Sequence, residues 1–157
     1  MIIIILGVLC LVFFIENARE LRTFRIRTYR IFSHKLKGIQ KKRIVFLSDL
    51  HNCSYGKNNG RLLAAVRRSR PDLILIGGDM LVRKNGTSYA KTLKFLTRLT
   101  AMCPVYYANG NHEQKLKEEP ERYEQSYAAY KKYLEEAGII FLENEAVIWK
   151  PDGVRIR

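Results

Sequence analysis

Sulfur is scarce in this chain, and so are several familiar catalytic signatures. Each absence removes a class of explanation. Only three cysteines occur in 157 residues: Cys10, Cys53 and Cys103. They are too few and too scattered for a disulfide framework, and no C-x-x-C is present, so free thiols are the expectation. No Gly-x-Ser-x-Gly elbow appears. There is no Walker A loop either, because Gly56-Lys57-Asn58-Asn59-Gly60 lacks the Gly-Lys-Ser/Thr ending. Internal repeats and low-complexity tracts are absent. Acidic residues are the minority, 15 against 28 Lys and Arg, which leaves a net charge of +13. At 47% hydrophobic and 27% charged the chain is not disordered by composition, and its length allows one domain.

What is present begins with an apolar run. MIIIILGVLCLVFFI fills residues 1–15 with almost no interruption. A helix in a soluble domain does not need to be apolar on every side. A cleaved signal peptide is the weaker reading, because the positive n-region and a small-x-small cleavage site are both missing. A buried core helix is weaker still. The apolar run is short against the roughly 17–25 residues a span takes, and Glu16-Asn17-Ala18 add length near the interface, so residues 1–18 are expected to form a single-pass membrane anchor.

Residues 19–43 follow as a basic juxtamembrane strand or linker. Between Glu16 and Arg43 there are ten Lys or Arg against two Glu, more than half the net charge of the chain. Arginines flank only the C-terminal side of the apolar run. The positive-inside rule then favours a cytoplasmic domain at the cell membrane over an extracytoplasmic one. The same stretch suits anionic headgroups. It also suits the solvent face of a strand, since Phe24 and Ile26 alternate with Arg25 and Arg27. Nucleic acid ranks below lipid as a partner, with no nucleic-acid motif in view.

From residue 44 onward the pattern is strand, loop, helix. Buried strands are expected at Ile44–Leu47, Leu73–Ile76, Val105–Ala108 and Ile139–Leu142. Helices are expected over 58–70, 89–102 and 121–137, the last stopped by Gly138. The tyrosines of that last helix, Tyr123, Tyr127, Tyr130 and Tyr133, read as packing. A hairpin is expected around Pro151-Asp152-Gly153, pairing 146–150 with 154–157. This alternation is the signature of a parallel α/β sheet.

The chemistry sits in the loops. Ser48-Asp49-Leu50-His51, Gly77-Gly78-Asp79-Met80 and Gly110-Asn111-His112-Glu113 each follow a strand. Parallel strands deliver such loops to one edge of the sheet. What meets there is Asp49, His51, Asp79, Asn111 and His112, an oxygen and nitrogen donor set suited to divalent metals. In an extended loop, Asp49 and His51 point the same way. The glycines before Asp79 permit a tight turn and close backbone approach, and a carboxylate there can bridge two ions. Two such ions can activate water and clamp a phosphoryl group. His112 suits a general acid or an electrophile. Glu113 reads as a helix cap and His34 as a solvated surface residue. Cys53, two residues beyond His51, is not needed in an O/N site.

In this order, Asp49-Leu50-His51, Gly78-Asp79 and Gly110-Asn111-His112-Glu113 resemble the calcineurin-like metallophosphoesterases. With the apolar N-terminus they look most like a membrane-associated bacterial subgroup, similar to the UDP-diacylglucosamine hydrolases. The resemblance covers about residues 40–150. It implies an αββα sandwich with a centre of two divalent ions, Mn, Fe or Zn, and a phosphoester substrate, lipid-linked or nucleotide. It further implies that Asp49 and His51 bind the first metal, Asp79 bridges, Asn111 binds the second, and His112 (the catalytic residue) assists without ligating. Family members complete the site with a later His and a Gly-His-x-His segment, which this chain lacks. Residues 44–157 are thus expected to be the N-terminal half of the domain. Two readings follow: a membrane-anchored metal-dependent phosphoesterase in truncated form, and a non-catalytic basic membrane-bound fragment with a degenerate metal site.

Overall fold

A computed structural model describes residues 2–20, 23–34, 40–124 and 126–151. The chain divides into two compact units, Met1–Ile31 and Phe32–Arg157. The first contains helix α1, Ile2–Glu20. Its apolar side chains from Ile4 to Ile15 are exposed all round. The transmembrane expectation is not met: among the described residues no helix is long and apolar enough to cross a membrane. The apolar run stops at Ile15, and the fourteen helical residues up to it reach only about 21 Å, against a hydrocarbon core of roughly 30 Å. The final turn is polar. Arg19 pairs with Glu16, and the Asn17 amide donates to Phe13 O at 2.9 Å.

The strand expected at Phe24–Arg27 does not form, and residues 23–33 have no regular secondary structure. Alternating side chains make a strand only where a neighbour completes the backbone ladder. The four-stranded sheet of the second unit does not include them.

That sheet consists of β1 (Ile44–Leu47), β2 (Leu73–Ile76), β3 (Val105–Tyr107) and β4 (Ile139–Phe141). All neighbours are parallel, in the order β1-β2-β3-β4. Helices α2 (Gly60–Ser69), α3 (Ala90–Thr97), α4 (Asn111–Glu118) and α5 (Tyr127–Glu136) connect the strands. When strand order follows chain order, right-handed crossovers put every connecting helix on the same face. The burial pattern agrees. Ile74, Ile76, Val105, Tyr107, Ile139 and Phe141 point to one face and are buried. On the other face Phe46, Leu75, Tyr106 and Ile140 stand in register across all four strands. Phe46 there is 66% exposed and Ile140 44%.

The helices are shorter than their periodicity suggested. α3 ends at Thr97 and continues only as turns to residue 102. α5 begins at Tyr127, where the Ser126 hydroxyl accepts from Ala129 N at 3.2 Å. Gly138 follows α5 with φ +90°. Tyr130 and Tyr127 are buried in the packing as expected, whereas Tyr133 is half exposed. α4 had no sequence signal of its own, because Leu116 is its one buried apolar residue. Of the hairpin expected around Pro151-Asp152-Gly153, the first arm, 146–150, shows only an isolated bridge at Trp149 rather than a strand, and the second arm lies outside the described residues.

Candidate metal centre

The three loops converge because the sheet's hydrogen bonding continues past the ends of the strands. Gly77 N donates to Leu47 O at 2.8 Å, and Asp49 N to Gly78 O at 3.1 Å. His51 N then donates to Asp79 O, and Asn52 N to Met80 O, both at 3.0 Å. The first two loops are therefore zipped together along their backbones.

The second and third loops touch through glycine. A Cβ on Gly78 (φ +82°) would lie 1.9 Å from Gly110 N. One on Gly110 would lie 2.4 Å from both Asp79 N and Asp79 Oδ1. No side chain fits at either position, so the close approach itself requires glycine.

Asp49, His51 and Asp79 all adopt positive φ, at 57°, 47° and 52°. Non-glycine residues rarely do so, and such strain gathers at functional sites. The loop is thus not extended, contrary to expectation. Asp49 and His51 converge instead because the chain curls at both residues. His51 Nε2 lies 3.6 Å from Asp49 Oδ1. Ligand atoms of Asp49, His51 and Asp79 all fall within 4.8 Å of one another. Asp49 is exposed, while His51 and Asp79 are half-buried, so the group opens to solvent.

His112 joins this group through its backbone and its ring. His112 N donates to Asp79 Oδ1 at 2.8 Å, at the start of α4, where the helix dipole favours a carboxylate. Its ring meets that of His51 edge to face, with centroids 5.0 Å apart. His112 Nδ1 accepts from Arg83 N at 3.2 Å. Asn111 is the exposed first residue of α4, and its carbonyl accepts from Arg83 Nη1 at 3.4 Å. Cys53 and His34 are exposed, and neither belongs to the metal-capable group found among the described residues.

Glu113 does more than sequence reasoning foresaw. Its carboxylate is fully buried. Oε2 accepts from Asp79 N at 2.8 Å and Gly110 N at 3.0 Å. Oε1 accepts from Met80 N at 2.9 Å, Leu81 N at 3.4 Å and the Tyr107 hydroxyl at 2.7 Å. The Gly-x-x-Glu spacing signalled the Gly110 bond, which is a helix cap. The bonds from Asp79, Met80 and Leu81 cross between loops 32 or more residues apart, and that from Tyr107 reaches over from β3; none follows from the cap spacing.

Beside this edge lies a polar hollow of about 340 Å³, lined by Asn109, Lys117 and Glu143 among others. Glu143 pairs with Lys117, accepts from the Tyr127 hydroxyl, and pairs with Lys131 at 3.1 Å. These donors hold its carboxyl well below the ordinary range, at about 2.

The calcineurin-like phosphoesterase family matches residues 42–153. The chain is 32% identical over 149 residues to a Bacillus subtilis (strain 168) protein named "Uncharacterized metallophosphoesterase YkoQ", covering 93% of this chain and 53% of that protein. It is 27% identical over 129 residues to "Uncharacterized protein YpbG" of the same organism, covering 82% of this chain and 44% of that one. The chain thus spans about half the length of the curated relatives it matches. The three motif loops, their meeting at one sheet edge and the family match over most of the sequence lead to one statement: this chain belongs to the calcineurin-like phosphoesterases, a family of metal-dependent hydrolases.

Proposed function

We propose that this chain carries the first half of a phosphoester-hydrolysing metal centre, with Asp49, His51 and Asp79 holding a divalent ion. The observation that carries this reading is the convergence of their ligand atoms within 4.8 Å. Two carboxylates and one imidazole are a donor set that Mn²⁺, Fe²⁺ and Zn²⁺ all accept. Asp79 stands between the first and third loops and is the residue to bridge toward a second ion, with Asn111 beside it. An ion held there supplies Lewis acidity and activates water for attack on phosphorus.

His112 assists without ligating. Its Nδ1 is occupied by the Arg83 N–H, so the neutral ring carries its proton on Nε2. That N–H is free to donate to a phosphoryl oxygen or to the leaving group. The net charge of +13 favours an anionic substrate. The motif wording, similar to that of the UDP-diacylglucosamine hydrolases, supports a nucleotide or lipid-linked phosphodiester. The apolar row Phe46, Leu75, Tyr106 and Ile140 supports the two-sheet αββα arrangement that the resemblance implies.

The test combines calorimetric titration with Mn²⁺ and hydrolysis of p-nitrophenyl phosphate and its bis-ester. Wild-type chain is expected to bind Mn²⁺, and Asp79→Asn to abolish binding. Equal Mn²⁺ affinity in wild type and Asp79→Asn would refute the site and favour the non-catalytic reading.

A further inference from the structure

We propose that Glu113 is a positioning residue of the metal centre, with Tyr107 and Tyr130 orienting its carboxylate. The inference rests on the reading that Asp79 holds an ion, and concerns what holds Asp79.

Asp79 has φ +52°, a conformation that an aspartate abandons unless its surroundings over-determine it. The backbone there is clamped on both edges. On one edge its carbonyl and that of Met80 accept from His51 N and Asn52 N of the first loop. On the other, the amides of Asp79, Met80 and Leu81 all point at the Glu113 carboxylate. Glu113 Oε2 takes Asp79 N together with Gly110 N, so one oxygen ties the second loop to the third. Asp79 and His112 owe their relative placement to that tie. The direct bond from His112 N to Asp79 Oδ1 is its consequence at the reacting edge.

The carboxylate is itself held. Tyr107 stands on β3 with its hydroxyl on Glu113 Oε1, and Tyr130 of α5 lies 2.9 Å from that hydroxyl. Tyr107 spends its single proton on Glu113, so Tyr130 must be the donor to Tyr107. Both phenols are buried, with ionisation pushed well above the ordinary range by desolvation first, so both stay protonated. The chain of bonds runs from the helix layer to the site without an intervening gap. A plain helix cap would need the Gly110 bond alone.

Glutamine cannot replace this carboxylate. Each oxygen faces at least two donors, so whichever position takes the amide NH₂ sets N–H against N–H.

The test uses the full chain. Mn²⁺ affinity is measured by calorimetry, and Co²⁺-substituted protein gives a visible ligand-field spectrum that reports site geometry. Circular dichroism melts report folding. Glu113→Gln is expected to lower Mn²⁺ affinity at least tenfold in protein that is still folded, and to change the cobalt spectrum. Tyr107→Phe is expected to lower affinity about threefold. Leu134→Ala, in the buried core of α5, is expected to lower the Tm while leaving affinity and spectrum unchanged. Affinity in Glu113→Gln within twofold of wild type, or a loss matched by Leu134→Ala at equal Tm, would overturn the proposal. Should Glu113→Gln fail to fold, Tyr107→Phe decides alone: unchanged affinity overturns it. Asp79→Asn separates the two readings. If it binds Mn²⁺ like wild type, the metal centre is wrong and Glu113 has nothing to position. If it loses binding while Glu113→Gln and Tyr107→Phe keep it, only the present inference fails.

Discussion

Gly110→Ala tests the contact on which the centre is built. Gly110 has φ −91° and ψ −171°, which alanine adopts without strain. Any effect is therefore steric. The new Cβ would sit 2.4 Å from Asp79 N and from Asp79 Oδ1, and 2.6 Å from Asp79 Cγ. Non-bonded carbon contacts settle near about 3.5 Å, so the two loops must part by about 1 Å. Two hydrogen bonds to carboxylates that cross between the loops stretch as they do, Asp79 N to Glu113 and His112 N to Asp79. Such bonds contribute about 1.5–3 kcal/mol each. Partial loss of both predicts a destabilisation of about 2–4 kcal/mol. A displacement of about 1 Å at Asp79 predicts a loss of about 10²-fold in any hydrolytic rate. Urea unfolding gives the first quantity, and aryl phosphate hydrolysis with Mn²⁺ the second. Gly60→Ala is the control. Nothing lies within 4 Å of its Cβ, and its φ of −59° is helical. It is expected to stabilise by about 0.5–1 kcal/mol. Equal midpoints and rates in the two variants would refute the reasoning.

Three further outcomes are expected. His112→Ala should lower turnover by about 10²–10⁴ while leaving Mn²⁺ affinity nearly unchanged, as calorimetry would show; loss of binding would make His112 a ligand. Glu143→Gln should cost about 1 kcal/mol in urea unfolding at pH 7, after discounting for a side chain that remains 22% exposed. Its folded pKa is depressed from 4.5 to about 2. The stabilisation is therefore complete above about pH 4.5, and the wild-type advantage should fade as pH drops toward 2. An advantage that persists at pH 2 would contradict that assignment. Tyr130→Phe should destabilise by about 1 kcal/mol, because Tyr107 keeps its bond to Glu113; a larger Mn²⁺ defect than in Tyr107→Phe would reverse the order of the hydrogen-bond chain.

The strands were legible because each is a short run of β-branched, aliphatic or aromatic residues set off by polar residues, proline or glycine. β1 and β2 fall where the sequence placed them, and β3 and β4 end one residue early. α4 escaped notice because a polar helix with one buried leucine has no hydrophobic period. The apolar N-terminus is helical as read, yet its polar last turn leaves it too short to span. Alternation at Phe24–Arg27 failed as a strand signal, because the segment does not join the four-stranded sheet. In the candidate centre, Asp49, His51 and Asp79 were named from their place at strand ends. Their curled backbones and the reach of Glu113 were not, since both depend on contacts between distant loops.

By itself the sequence determined the parallel α/β order, the family and the residues able to hold metal. Each of those depends on local patterns: apolar runs, punctuation and motif spacing. Only the tertiary structure decided how the loops meet. Gly78 and Gly110 touch backbone to backbone, and a buried glutamate gathers amides from segments more than thirty residues apart. Such contacts exist only once the sheet has brought its strand ends together.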